Sequence, residues 1–99
     1  MSTSAAKVEC LNPNTGGRMN IDKETYRLFR EAIRQTMNRS QSLTYTQLIA
    51  GIKNYFHERG QVFERSVEWY GVVVKNDMEA RGEIEAITEK GKKLNRLKK

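Results

Sequence analysis

Ser66-Val67-Glu68-Trp69-Tyr70-Gly71-Val72-Val73-Val74-Lys75-Asn76-Asp77-Met78-Glu79-Ala80-Arg81-Gly82 is the stretch on which the fold turns. Val67, Tyr70, Val74 and Met78 recur at spacings of 3, 4 and 4, the period of one helical face, and Gly82 supplies a stop. Gly71 and the β-branched run Val72-Val73-Val74 argue the other way, because both are poor helix formers. A strand through Trp69–Lys75 is therefore the alternative. The periodicity, and the ordinary helical sequence of Asp77-Met78-Glu79-Ala80-Arg81, favour a helix from Ser66 to Arg81.

Two earlier helices are easier to read. Asp22 can cap the first, with Ile21 and Tyr26 as a hydrophobic staple around it. Tyr26, Phe29, Ile33 and Met37 then form one face, and the helix fades at Asn38–Ser42. Thr44-Tyr45-Thr46-Gln47 has the form of a capping box and starts the second, with Leu48, Ile52, Tyr55 and Phe56 inward and Gly60 as its stop. A connection from Gly60 to Arg65 leads to the third. Ahead of all of these, Lys7–Asn12 and Arg18–Ile21 read as two strands around the turn formers Asn12–Gly17. Gly16-Gly17 is a plain turn, since no Lys-Ser/Thr follows it as a phosphate loop requires.

The end of the chain reads as a β-hairpin. Ile84–Ile87 is a short strand, Thr88–Lys93 a turn centred on Gly91, and Leu94–Leu97 the return. Three helices followed by a hairpin with a basic tip give an α+β fold of the winged helix-turn-helix layout, with a short N-terminal strand or hairpin in front. Ninety-nine residues make one domain. It is expected over 7–97, after a disordered 1–6 and before a basic end at 98–99.

Apolar residues are 37% and charged residues 30%, a globular balance with a wet surface. No apolar run reaches the roughly 18 residues of a membrane span. No secretory signal is visible, and Cys10, the lone cysteine, forms no internal disulfide. A cytoplasmic protein is the expectation. The net charge of +6 is concentrated. Residues 89–99 carry Lys90, Lys92, Lys93, Arg96, Lys98 and Lys99 against Glu89, a balance of +5, so the other 88 residues sum to +1.

Two resemblances follow from these residues. The run Val74–Glu85 resembles the end of the third helix and the start of the wing in bacterial winged-helix regulators. Over nearly its whole length the chain is also similar to a small family of uncharacterised bacterial proteins. That similarity rests on Leu11–Gly16, Ile21-Asp22, Tyr26, Ala32-Ile33, Leu43-Thr44, Ser66–Tyr70 and Val74–Glu85. It implies the winged-helix fold and assigns no activity.

A winged-helix protein of this kind is expected to bind double-stranded DNA, as a transcription regulator does. Lys90, Lys92, Lys93 and Arg96 on the wing would meet phosphates, and Arg65, Ser66, Lys75 and Asn76 on or beside the third helix would meet the groove. The charge of that helix opposes the reading. Its outward stripe is expected to run Glu68, Val72, Lys75, Glu79, and Ser66–Gly82 sums to −1, with Glu68, Asp77 and Glu79 against Lys75 and Arg81. The rival is a protein-interaction or dimerisation module on the same scaffold, a homodimer or a complex with another protein, with Trp69 as its anchor.

An enzyme is not expected. His57, the only histidine, sits near a helix end, and Cys10 has no activating neighbour in sequence. One His and one Cys do not make a zinc site. No cofactor and no small-molecule substrate are expected.

Overall fold

The contested stretch is helical. A computed structural model describes residues 7–12, 15–39 and 42–98. In chain order its elements are β1 (Lys7–Leu11), β2 (Arg18–Asp22), α1 (Lys23–Arg39), α2 (Tyr45–Glu58), α3 (Val67–Ala80), β3 (Ile84–Glu89) and β4 (Lys92–Leu97). This is an α+β fold of three helices and two antiparallel hairpins. The disordered start expected at 1–6, Pro13-Asn14 of the N-terminal turn, Ser40-Gln41 and Lys99 lie outside the described residues.

Gly71 is helical because α3 crosses α2 there. A Cβ at this position would stand 2.8 Å from Ile49 Cδ1 and 3.3 Å from Ile52 Cδ1. The helix gives up about 1 kcal/mol of propensity at glycine and gains a close approach that no other residue allows. Ser66 caps α3, its hydroxyl accepting from the Trp69 backbone N–H at 3.0 Å. The start expected for α2 is present in full. Thr44 Oγ accepts from Gln47 N–H, and the Gln47 side chain accepts from Thr44 N–H. Asp22 ends β2 opposite Lys7, with which it pairs at 3.7 Å.

The three helices meet over an aromatic cluster. The Phe29 ring lies 5.2 Å from Phe56 and 4.9 Å from Phe63, both edge-on, and 5.8 Å from Tyr70. Ile33, Leu48, Ile52, Val74, Met78 and Ile84 extend this core. The N-terminal hairpin adds Cys10 and Ile21 to it.

The C-terminal hairpin differs from the reading of a long loop. β3 and β4 pair from Ile84↔Leu97 to Glu89↔Lys92, leaving a two-residue turn at Lys90-Gly91. Both turn residues have positive φ, 53° and 78°. This is the twist of a type I′ turn, which matches the right-handed twist of the strands and so lets them run two rungs further. Next to β4 lies a minimal third strand. Leu43 and Asn95 exchange backbone bonds of 2.9 and 2.7 Å, and Asn95 Nδ2 also donates to Leu43 O. No helix of the described residues is long and apolar enough to cross a membrane.

At the α1–α2 crossing, a Cβ on Gly51 would stand 2.3 Å from Thr36 Cγ2, on a side chain whose hydroxyl already donates to Ala32 O. Gly51→Ala is therefore expected to destabilise by about 1–3 kcal/mol despite its better helix propensity. Thr36→Ala in the same chain should recover most of the loss. Urea unfolding of the two variants checks both statements.

Candidate functional site

The basic hairpin puts three lysines at its tip. Lys90 is the first turn residue, and Lys92 and Lys93 open β4 opposite Glu89 and Thr88. All three are exposed, and none has an ion-pair partner within 4 Å among the described residues. Lys92 and Lys93 project from opposite faces of the ribbon, because alternate residues of a strand do. Arg96 is different: its Nε donates to Glu85 at 2.5 Å, across one rung. Several other cations are likewise tied to acids. Lys7–Asp22, Arg18–Glu9, Arg27–Glu24, Arg30–Glu83, Arg39–Glu58 and Lys53–Glu68 are all pairs.

The third helix does not carry the residues expected of a groove-reading surface. Lys75 lies inward, 6% exposed, with Nζ 3.0 Å from Glu79. It is thus removed from the outward stripe. With Gly71, Val74 and Met78 facing the core, the helical period leaves Trp69, Val72, Val73, Asn76 and Ala80 outward. Of these, Trp69 is 42% exposed, Ala80 is exposed, and Val72, Val73 and Asn76 are half-buried. The stripe is mostly apolar, and the exposed Glu68 at its border is tied to Lys53. Ser66 spends its hydroxyl on the cap. Arg65 lies over Tyr70, with Nη1 donating to the Tyr70 hydroxyl at 2.8 Å. Lys53 pairs with Glu68 at 2.6 Å and holds that carboxyl below its usual range. Of the eight cation and polar residues expected to form one binding face, only Lys90, Lys92 and Lys93 at the hairpin tip remain exposed and without an acid partner.

Beside this stripe runs a crevice of about 180 Å³, lined chiefly by Val73 and Asn76 of α3 and by Leu11, Arg18 and Met19 of the N-terminal hairpin. A buried carboxylate sets its width. Asp77, fully buried on α3, accepts from Leu11 N–H at 2.9 Å on Oδ1. On Oδ2 it accepts from the Tyr26 hydroxyl at 2.5 Å and from Arg81 Nε at 2.8 Å. Arg81 also donates to Glu9 O at 3.1 Å. One side chain therefore joins α3, α1 and β1. The sequence reading counted Asp77 only as a negative charge. Its signal was the Arg81 four residues on, a spacing that also suits a solvent-exposed pair.

The two reactive residue types are placed as follows. Burial, reinforced by the nearby Asp77 charge, pushes the Cys10 thiol up to about 12, so it is protonated at neutral pH and a poor nucleophile. Burial and then the hydrogen bond to Asp77 raise the Tyr26 hydroxyl. His57 stands exposed in the last turn of α2, where its carbonyl accepts from Gly60 N–H. Among the described residues no three His, Cys, Asp or Glu side chains gather as metal ligands.

Compared with known families, residues 7–94 match a family of unknown function, DUF6958. The chain belongs to that family. No curated protein and no solved structure matches it. In this DUF6958 chain the matched span contains both partners of the β1–α3 junction, the outward stripe of α3 and the tip of the β3–β4 hairpin, and it ends before Arg96.

Asp77→Ala should lower stability by about 2–4 kcal/mol, from two inner donors left unpaired at roughly 1–3 kcal/mol each. Little is added by Arg81, whose side chain is 45% exposed. Amide exchange should accelerate first in β1 and β2 and least in β3 and β4. The raised Cys10 and Tyr26 groups set the alkaline limit. The folded chain keeps protons there that the unfolded chain releases, so stability is full below about pH 9 and falls as pH climbs toward 12. Urea unfolding across that window should show a shallower decline for Cys10→Ala.

Proposed function

We propose that the chain is a winged-helix DNA-binding module, regulator-like, that grips duplex DNA by phosphate contacts from the β3–β4 wing. The observation that carries this reading is the cluster Lys90, Lys92 and Lys93, exposed and unpaired at the tip of a two-residue turn. Long cations on a narrow ribbon suit a phosphate backbone, because they displace condensed counterions without needing a shaped pocket. The order of three helices and a hairpin supports the winged-helix assignment, as does Leu43 pairing with Asn95 to give the wing a third strand.

The buried Lys75 and the uncharged outward stripe of α3 limit what such contact reads. Base edges are read by hydrogen-bonding side chains in the groove, and the stripe offers only the Asn76 amide and the Trp69 indole N–H. The binding is therefore backbone-directed, tolerant of sequence and strongly salt-dependent. The stripe itself, with Trp69 exposed, favours a second role in protein contact on the same scaffold.

Fluorescence anisotropy with a labelled duplex of about two helical turns tests the wing. Affinity should fall steeply as salt rises, and Lys90→Gln, Lys92→Gln and Lys93→Gln together should flatten the log–log salt slope by about 3. An unretarded duplex at low salt, or an unchanged slope in the triple variant, defeats the proposal.

A further inference from the structure

We propose that the outward face of α3 is a self-association surface, on which Trp69 of each copy enters the crevice between α3 and the N-terminal hairpin of the other. This goes beyond the wing reading and does not depend on it. The knob and the recess lie on one face of one chain. Trp69 and Asn76 are seven residues apart, two helical turns or about 10.5 Å. If two copies of α3 lie antiparallel about a twofold axis between Val72 and Val73, Trp69 of one meets Asn76 of the other, and Val72 meets Val73. Both Trp69 side chains then reach a crevice at once, which is the reciprocity an isologous interface requires.

The crevice suits that occupant by size and by chemistry. Its volume of about 180 Å³ lies below the roughly 300 Å³ at which small-molecule sites begin, and matches a single large side chain. Leu11, Met19 and Val73 give it apolar walls beside the polar Asn12, Thr15 and Asn76, and Met19 is 43% exposed. Arg18 stands at the crevice, and its partner Glu9 is 3.6 Å away with both side chains more than half exposed, a weak tie that leaves the guanidinium free to stack on an indole.

Charge selects a second copy over an acidic or basic partner. The charge bordering the outward stripe, Glu68, is matched by Lys53 at 2.6 Å, and Lys75 is buried against Glu79. A chain of net charge +6 associates with itself only where like charges stay apart. The antiparallel arrangement does this, since each wing follows the C-terminal end of its own α3 and the 14-residue helices set the two ends about 21 Å apart.

Sedimentation analysis of the full chain over the micromolar range is the test, with the fluorescence of Trp69, the only tryptophan, as a second readout. The wild type should dimerise, its emission shifting to the blue as the indole leaves water. Trp69→Ala and Met19→Glu should each raise the dissociation constant about tenfold or more. Mixed together, the two variants should associate better than either alone, because one supplies an intact crevice and the other an intact knob. Met19→Glu, on the exposed hairpin, carries the test if circular dichroism shows Trp69→Ala unfolded. The Lys90, Lys92 and Lys93 triple variant should dimerise like the wild type, so a wild type that dimerises yet leaves duplex DNA unbound at low salt defeats the wing reading alone. A wild type that stays monomeric, a folded Trp69→Ala that still dimerises, or a mixture that gains nothing overturns this proposal.

Discussion

One carboxylate with no solvent contact holds the two halves of this molecule together. Removing Asp77 from water costs several kcal/mol, and only a full set of donors offsets such a cost. The fold provides three, each from a different part of the chain: a backbone amide of β1, a phenol of α1 and a guanidinium one turn along α3. Hydrogen bonds fix direction as well as distance, which apolar contact does not. Cys10 and Ile21 anchor the N-terminal hairpin by burial, but Asp77 decides how far β1 stands from α3. The crevice beside Val73 and Asn76 is the gap this spacing leaves.

What was legible in the sequence was local. The Thr44/Gln47 box, the stop at Gly60 and the turn residues around Gly16 and Gly91 state their roles within a few positions. The helix over Val67–Ala80 was visible in its period, but the reason it tolerates Gly71 lies in Ile49 and Ile52, about 20 residues upstream. The same distance in sequence hid the phase of the helix. Lys75 adjoins Val74, and a long stem with a paired head can follow it into the interior, so charge type alone assigned it to the wrong face. Of the candidate site, the lysines at the tip of the C-terminal hairpin could be read directly. The Asp77 junction could not, because its partners come from positions 11, 26 and 81.

The distribution of paired and unpaired charge separates two surfaces. Lys7, Arg18, Arg27, Arg30, Arg39 and Lys53 are matched by acids at 2.6–3.7 Å, and residues 1–88 sum to only +1. Three exposed lysines without an acid partner gather at the tip of one thin hairpin. The outward side of α3 presents mostly carbon instead, with the Asn76 amide, the Trp69 indole N–H and, at its border, a Glu68 already tied to Lys53. A polyanion and an apolar protein surface are opposite chemistries, and this chain keeps them on separate elements.

The bridge between Leu43 and Asn95 has a mechanical side. β4 is held by β3 along one edge and by Leu43 on the other, and Leu43 immediately precedes the cap of α2. The hairpin is therefore not a free finger. It is a lever with its fulcrum at Asn95, and the three rungs beyond, Ile87↔Leu94 to Glu89↔Lys92, form the longer arm that carries the lysines. A load on the tip is delivered through two backbone bonds to the start of α2, so the hairpin and the helical body yield or resist together.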